Sequence, residues 1–177
     1  TIILFTGDNG TPSRSIVRFE GGKYIRDPVY SVYNGRRVQG GKTQLTDSGT
    51  NVPLIATWKG QIQPGQVVDD LVDFSDFLPT LADLSGGQRP VGVTLDGQSF
   101  APRLRGEKVP RRRWAYAEAG GKYWVRDQRY KLYDNGQFFD INNDPFEKNP
   151  LSSSKFTAAA RTAHEQLNKA LNQVASF

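Results

Sequence analysis

An apolar run that stops abruptly in polar residues sets the strongest limit on what this 177-residue chain can fold into. Thr1-Ile2-Ile3-Leu4-Phe5-Thr6 gives way at once to Gly7-Asp8-Asn9-Gly10. A short continuous apolar run bounded by turn residues reads as a buried strand. Open α/β sheets use the C-terminal tips of such strands to present functional groups. An acid and an amide placed there are suitable ligands for a hard cation, so Asp8 and Asn9 are candidate metal ligands. Asp-Asn-Gly after a strand is also an ordinary turn signal. Two ligands do not make a site, because an ion such as Ca2+ takes about six to eight oxygens. The others must come from elsewhere: Asp69-Asp70 follows a turn and reads as a solvated loop.

Residues 52–58 read as a second strand, with Lys59-Gly60 starting the turn after it. Residues 10–40 are rich in Gly, Arg and Tyr without a sustained period and read as an ordered irregular loop. Asp76 reads as the N-cap of a helix. Phe77, Leu78, Leu81 and Leu84 fall at helical spacing as its packing stripe, and Gly86 supplies the stop. A Gly-, Pro- and Arg-rich stretch then divides the chain into 1–107 and 108–177. The second part carries short strands at 114–117, 123–126, 130–133 and 137–141, with Asp134-Asn135-Gly136 as a tight turn. Its aromatics, Trp124 among them, read as sheet core and cross-strand pairs rather than a sugar-stacking surface. Ser154 is placed as the cap of a last helix with an apolar stripe of Phe156, Ala160, Ala163, Leu167, Leu171 and Val174. His164 reads as a surface residue of that helix.

Composition narrows the function. Mean hydropathy is −0.57, and no apolar run approaches the roughly 18 residues of a spanning helix. The net charge of +5 suits anionic substrates. The densest basic run, Arg111-Arg112-Arg113, reads as a solvated loop. No basic face interleaved with aromatics is evident, so nucleic acid is not an expected partner. With no cysteine, the chain holds no disulfide, zinc–thiolate site or cysteine nucleophile. Lys42, flanked by Gly40 and Gly41, is a point charge suited to one sulfate or phosphate oxygen. Arg14, Arg36 and Arg37 in the 10–40 segment are further candidate anion contacts. The chain opens inside a strand, so we expect sequence upstream of Thr1, carrying any export signal.

Several blocks resemble, in order, the C-terminal part of sulfatases of the arylsulfatase type, in the alkaline-phosphatase-like superfamily. Phe5-Thr6-Gly7-Asp8-Asn9-Gly10 is similar to the family's strand with Asp-Asn-Gly. Gly41-Lys42, Asp47-Ser48-Gly49 and Val52-Pro53-Leu54-Ile55 resemble its lysine, its Glu-Gly-Gly turn and the strand after it. Asp73-Phe74-Ser75-Asp76-Phe77-Leu78-Pro79-Thr80-Leu81 resembles a helix start of the family. Asp96-Gly97-Gln98-Ser99-Phe100 with Leu104-Arg105-Gly106 resembles the stretch beyond it. Val125-Arg126-Asp127, Tyr130-Lys131-Leu132-Tyr133, Phe139-Asp140 and Asn143-Asp144-Pro145-Phe146-Glu147 resemble its C-terminal sheet and exit.

The resemblance implies an α/β fragment: the end of the main mixed sheet plus a small four-stranded antiparallel sheet with a C-terminal helix. It implies a parent enzyme that hydrolyses sulfate esters with a formylglycine nucleophile and a divalent cation, usually Ca2+, acting on a sulfated small molecule or a sulfated glycan. Asp8 and Asn9 would be two of the cation's ligands, and Lys42 would hold a sulfate oxygen and steady the leaving group. The nucleophile motif, Cys or Ser before x-Pro-Ser-Arg, belongs to the family's N-terminal region. Gly10-Thr11-Pro12-Ser13-Arg14 ends alike but has Gly10 where Cys or Ser is needed. We therefore expect the fragment alone to be inactive, the missing N-terminal part to complete it, and the parent to be periplasmic or secreted. A phosphoester or phosphonate hydrolase of the same superfamily and a non-catalytic carbohydrate- or anion-binding module are the alternatives.

Overall fold

A computed structural model describes every residue except Asn34, Arg89, Ser176 and Phe177. Strand β1 (Ile2–Thr6) leads into two hairpins, β2 (Arg14–Glu20) with β3 (Lys23–Pro28) and β4 (Tyr30–Tyr33) with β5 (Arg36–Gln39). A one-turn helix α1 (Asp47–Thr50) precedes β6 (Leu54–Trp58). Helices α2 (Phe77–Ser85) and α3 (Ala101–Leu104) follow. Strands β7 (Ala115–Ala119), β8 (Lys122–Arg126), β9 (Tyr130–Tyr133) and β10 (Phe138–Asp140) precede the long helix α4 (Ala158–Val174).

The best-packed part is the antiparallel meander β10-β9-β8-β7 with α4 laid across it. Val125, Leu132 and Phe138 meet Ala160, Ala163, Leu167 and Ala170 of the helix, all buried. Alanines on the helix face let its axis come close to the sheet. Each large apolar side chain buried here contributes about 1.5–3 kcal/mol. Tyr130 and Phe138 belong to this core, and Trp124, only 5% exposed, is buried on the opposite face of the sheet beside Lys131, so neither set forms an open stacking platform. The Asp134-Asn135-Gly136 turn forms as expected, with Gly136 at φ 83°. Helix α4 starts later than the sequence suggests. Thr157, not Ser154, caps it by accepting from the Ala160 amide, while residues 153–155 form a separate 3-10 turn. His164 is half-buried rather than on the surface, its ring edge-on to Phe138 at 5.0 Å.

The first part of the chain departs further from expectation. β1 and β6 pair antiparallel with Phe5 opposite Ile55. Ile3, Phe5 and Ile55 are each about 60% exposed, so β1 is half-open rather than buried. A two-stranded ribbon covers only one of its faces. The 10–40 segment is not an irregular loop but two antiparallel hairpins. Gly21 (φ 57°) and Gly22 (φ 74°) make the first turn in a conformation that L side chains rarely adopt. The register shift between Ile16 and Arg18 breaks the alternation that would have marked a strand.

Asp76 is the N-cap position of α2, as expected, although its side chain makes no cap bond to that helix. The capping box belongs to the 3-10 turn 74–76 just before it, where Asp73 accepts from the Ser75 amide at 3.0 Å and the Asp76 carboxylate accepts from the Asp73 amide at 2.9 Å. Gly86 ends α2 in the left-handed region. Leu78 and Leu81 stay about half exposed, and the buried residues are Asp76, Pro79 and Thr80. The expected packing stripe is therefore only partly used. The Arg111-Arg112-Arg113 run is not simply solvated: Arg112 is buried in an ion pair with Asp76. Asp70 is likewise not a solvated loop acid, since it lies 2.6 Å from Arg103 and 2.9 Å from Arg111.

Candidate functional site

The loop after β1 and the loop after β5 are packed backbone to backbone. The Gly10 amide donates to the Gly49 carbonyl (2.8 Å) and the Lys42 amide to the Thr11 carbonyl (3.0 Å). Side chains are excluded at this contact. A Cβ on Gly10 would overlap the Ser48 carbonyl oxygen, and one on Gly49 would overlap the carbonyls of Gln44 and Gly41. Asp8-Asn9 and Lys42 are distant in sequence, and this glycine-packed contact brings them together. Thr43, next to Lys42, sits at φ 75°, an uncommon conformation for a β-branched residue.

Asp8 and Lys42 are both exposed, and Asn9 is half-buried. The Asn9 amide donates to the Asp8 carboxylate and holds it below its ordinary range, and the Lys42 ammonium acts in the same direction. This corner therefore places a carboxylate, an amide and an ammonium within electrostatic reach of one another. Asp8 and Asn9 have the oxygen donors that a hard divalent cation prefers. Among the described residues no cluster of three or more His, Cys, Asp or Glu could hold a metal by itself. Any cation held here would need donors beyond Asp8 and Asn9.

The candidate arginines are spread along the hairpins. Arg14 begins β2, near the point where the Val29 amide donates to the Ser13 carbonyl and the Gly40 amide to the Val29 carbonyl. Arg37 lies over the Tyr30 ring at 3.8 Å. Arg36 faces Tyr33 across the β4–β5 ribbon. All three are exposed, and none has a carboxylate at ion-pair distance among the described residues.

Sequence reasoning missed what anchors this loop. The Lys131 ammonium, fully buried on β9, lies 2.7 Å from Asp47 and 2.8 Å from Glu147. Arg126 adds bonds of 3.1 and 3.2 Å to Asp47. The Trp124 indole donates to the Leu45 carbonyl (2.7 Å), and the Tyr133 hydroxyl donates to Glu147. Burial opposes ionisation of Asp47, but Lys131 and Arg126 outweigh it and hold its carboxyl below the ordinary range. Burial and then the Glu147 carboxylate push the Tyr133 phenol far up. Every partner on the first part belongs to residues 45–47, a few positions beyond Lys42. The partners lie far apart in sequence, so no local pattern marked them.

A cleft of about 1690 Å3 lies elsewhere, lined in part by Thr6, Trp58, Asp70, Asp76, Arg103 and Arg112. Asp70 and Asp76 are already paired with arginines there, and neither Asp8 nor Lys42 lines it.

The fold defined by these elements, a strand-tip corner joined to a four-stranded meander under a helix, is that of the C-terminal portion of a sulfatase. The family described as N-sulphoglucosamine sulphohydrolase, C-terminal, matches residues 41–175, and the chain belongs to it. Arylsulfatase A of Homo sapiens is 33% identical over 171 residues, covering 93% of this chain and 30% of that protein. An ulvan-active sulfatase of Formosa agariphila is 26% identical over 174 residues, covering 74% of this chain and 34% of that protein. A structure solved in complex with its substrate D-glucosamine-2-N,6-O-disulfate superposes with a TM-score of 0.68 at 22% identity, covering 99% of this chain and 35% of that one. The chain therefore spans about a third of the length of the relatives it matches. No described helix is long and apolar enough to cross a membrane.

Proposed function

We propose that the chain supplies a cation- and anion-holding corner to a sulfuric ester hydrolase whose remaining parts lie outside these 177 residues. The observation that carries this reading is the glycine-packed contact that sets Asp8-Asn9 beside Lys42, in a chain of the sulfatase C-terminal family. Asp8 and Asn9 would give oxygens to a divalent cation, Ca2+ on the family resemblance. When bound, that cation supplies Lewis-acid polarisation of the sulfate. Lys42 holds a sulfate oxygen and offsets negative charge that builds toward the leaving oxygen as the S–O bond breaks. Its ammonium can do this because no carboxylate lies at ion-pair distance from it among the described residues. The nucleophile, a formylglycine, belongs to the upstream part, so the chain alone turns over no sulfate ester. The substrate is a sulfated glycan or a smaller sulfated molecule.

The test is aryl sulfate turnover by the full-length enzyme and its Lys42→Ala variant. Removing one preorganised charge donor costs about 10²–10³ in kcat. We expect a loss of that order with the circular dichroism spectrum unchanged. Unchanged turnover, or turnover by the isolated chain, overturns the reading.

A further inference from the structure

A second small pocket, of about 220 Å3, lies between the β4–β5 hairpin and the segment after β10. Tyr33 and Arg36 line one side, and Asn142, Asn143, Pro145 and Phe146 line the other. Tyr33 and Arg36 are directly opposite each other in the ribbon register, so both side chains project from one face. Nearby acids are engaged elsewhere. Asp140 is held by Arg129 at 2.7 Å and by the Asn143 amide at 2.8 Å. Glu147 is turned inward to Lys131. Asp144 accepts from the Asn149 amide at 2.7 Å. Arg36 has no carboxylate at ion-pair distance, and the Asn142 side-chain amide has no hydrogen-bond partner among the described residues. Lys148 adds positive charge behind the Phe146 ring, 5.7 Å from its centroid. The pocket thus combines a guanidinium, a free amide and two aromatic walls, with no unpaired acid.

That chemistry suits a sugar ring bearing an anionic group. The guanidinium can grip a sulfate bidentately, the amide can bond a hydroxyl, and the ring faces can pack on sugar C–H groups. The pocket also has a fixed relation to the Lys42 corner, because β5 runs from Arg36 to Gln39 and straight into Gly40-Gly41-Lys42. At about 3.3 Å per residue, Arg36 stands roughly 13 Å along the strand from Gly40. A glycan chain can bridge such a span, whereas a single aryl sulfate cannot.

We propose that this pocket is a subsite for a second sulfated sugar residue of a glycan whose scissile sulfate sits at Lys42. The hairpin then selects extended, multiply sulfated chains over small sulfate esters. This rests on the sulfatase reading above.

The experiment compares the full-length enzyme with Arg36→Ala and Asn142→Ala, measuring kcat/KM on a sulfated tetrasaccharide and on 4-nitrophenyl sulfate. Loss of a charged hydrogen bond should lower the glycan-to-aryl ratio about tenfold in Arg36→Ala, chiefly through KM. Arg36→Lys should recover part of it. Arg18→Ala, whose side chain bonds Glu20 on the other hairpin, should leave the ratio as it is. An unchanged ratio in Arg36→Ala overturns the subsite. If the wild type hydrolyses neither substrate, the sulfatase reading fails. The subsite is then judged by calorimetric binding of the same tetrasaccharide: weakening about tenfold in Arg36→Ala sustains it, and equal affinity overturns it.

Discussion

Lys131 holds its ammonium wholly out of solvent between Asp47 at 2.7 Å and Glu147 at 2.8 Å. A charge taken out of water persists only where partners satisfy it, and here two carboxylates do. Removing the cation leaves those carboxylates buried with less compensation. Lys131→Met should therefore destabilise the fold by about 3–5 kcal/mol, read by urea denaturation of the full-length protein. The acid limb of stability follows from the same cluster. The Asp47 carboxyl is held below its ordinary value of 3.8 in the folded state. Its contribution is complete above that value and fades as pH falls through the lower folded one. Wild-type stability should thus drop below about pH 4, and Lys131→Met should lose much of this dependence. A mutant that keeps the full wild-type acid slope would show that other groups cause it.

At the scale of elements, two loops make the candidate site, and glycines decide how closely they approach. Gly49→Ala would drive a methyl group into the carbonyls of Gln44 and Gly41. Forcing extra volume into a closed contact costs about 1–3 kcal/mol. Because Lys42 sits on this contact, thermal unfolding and aryl sulfate turnover should fall together, whereas Gly35→Ala in the open β4–β5 turn should leave turnover unchanged. The elements also show what a sequence can display. β7–β10 and α4 were legible because the Asp134-Asn135-Gly136 turn and the Ala163–Leu167–Leu171 spacing are local signals. Asp8, Asn9 and Lys42 stood out by residue type and by resemblance, but their adjacency depends on the Gly10–Gly49 bond between distant segments. β2 and β3 were hidden because every residue of β2 is exposed and a register shift interrupts its pattern. The role of Asp47 was illegible because its partners Arg126 and Lys131 are on strands far along the chain.

Across the whole molecule, stability is uneven. The residues up to 107 and those beyond, which the sequence reading expects to form two parts, are joined by buried ion pairs such as Arg112 with Asp76 and Lys131 with Asp47. The apolar core lies in the second part, where β8, β9, β10 and α4 meet. The β1–β6 ribbon keeps Ile3, Phe5 and Ile55 open, and a two-stranded ribbon is only marginally stable by itself. Amide hydrogen exchange on the 177-residue chain should show β8, β9 and α4 protected longest, with β2–β5 exchanging first. Slow exchange in the hairpins would contradict this gradient. The reading depends most on Asp8, Asn9 and Lys42 acting on one bound group. A crystal structure of the full-length protein grown with Ca2+ and sulfate tests that most directly. Oxygens of Asp8 and Asn9 on the cation, with a sulfate oxygen within hydrogen-bond reach of the Lys42 ammonium, is the expected result. A cation bound away from Asp8, or a Lys42 side chain turned from the sulfate, would contradict it.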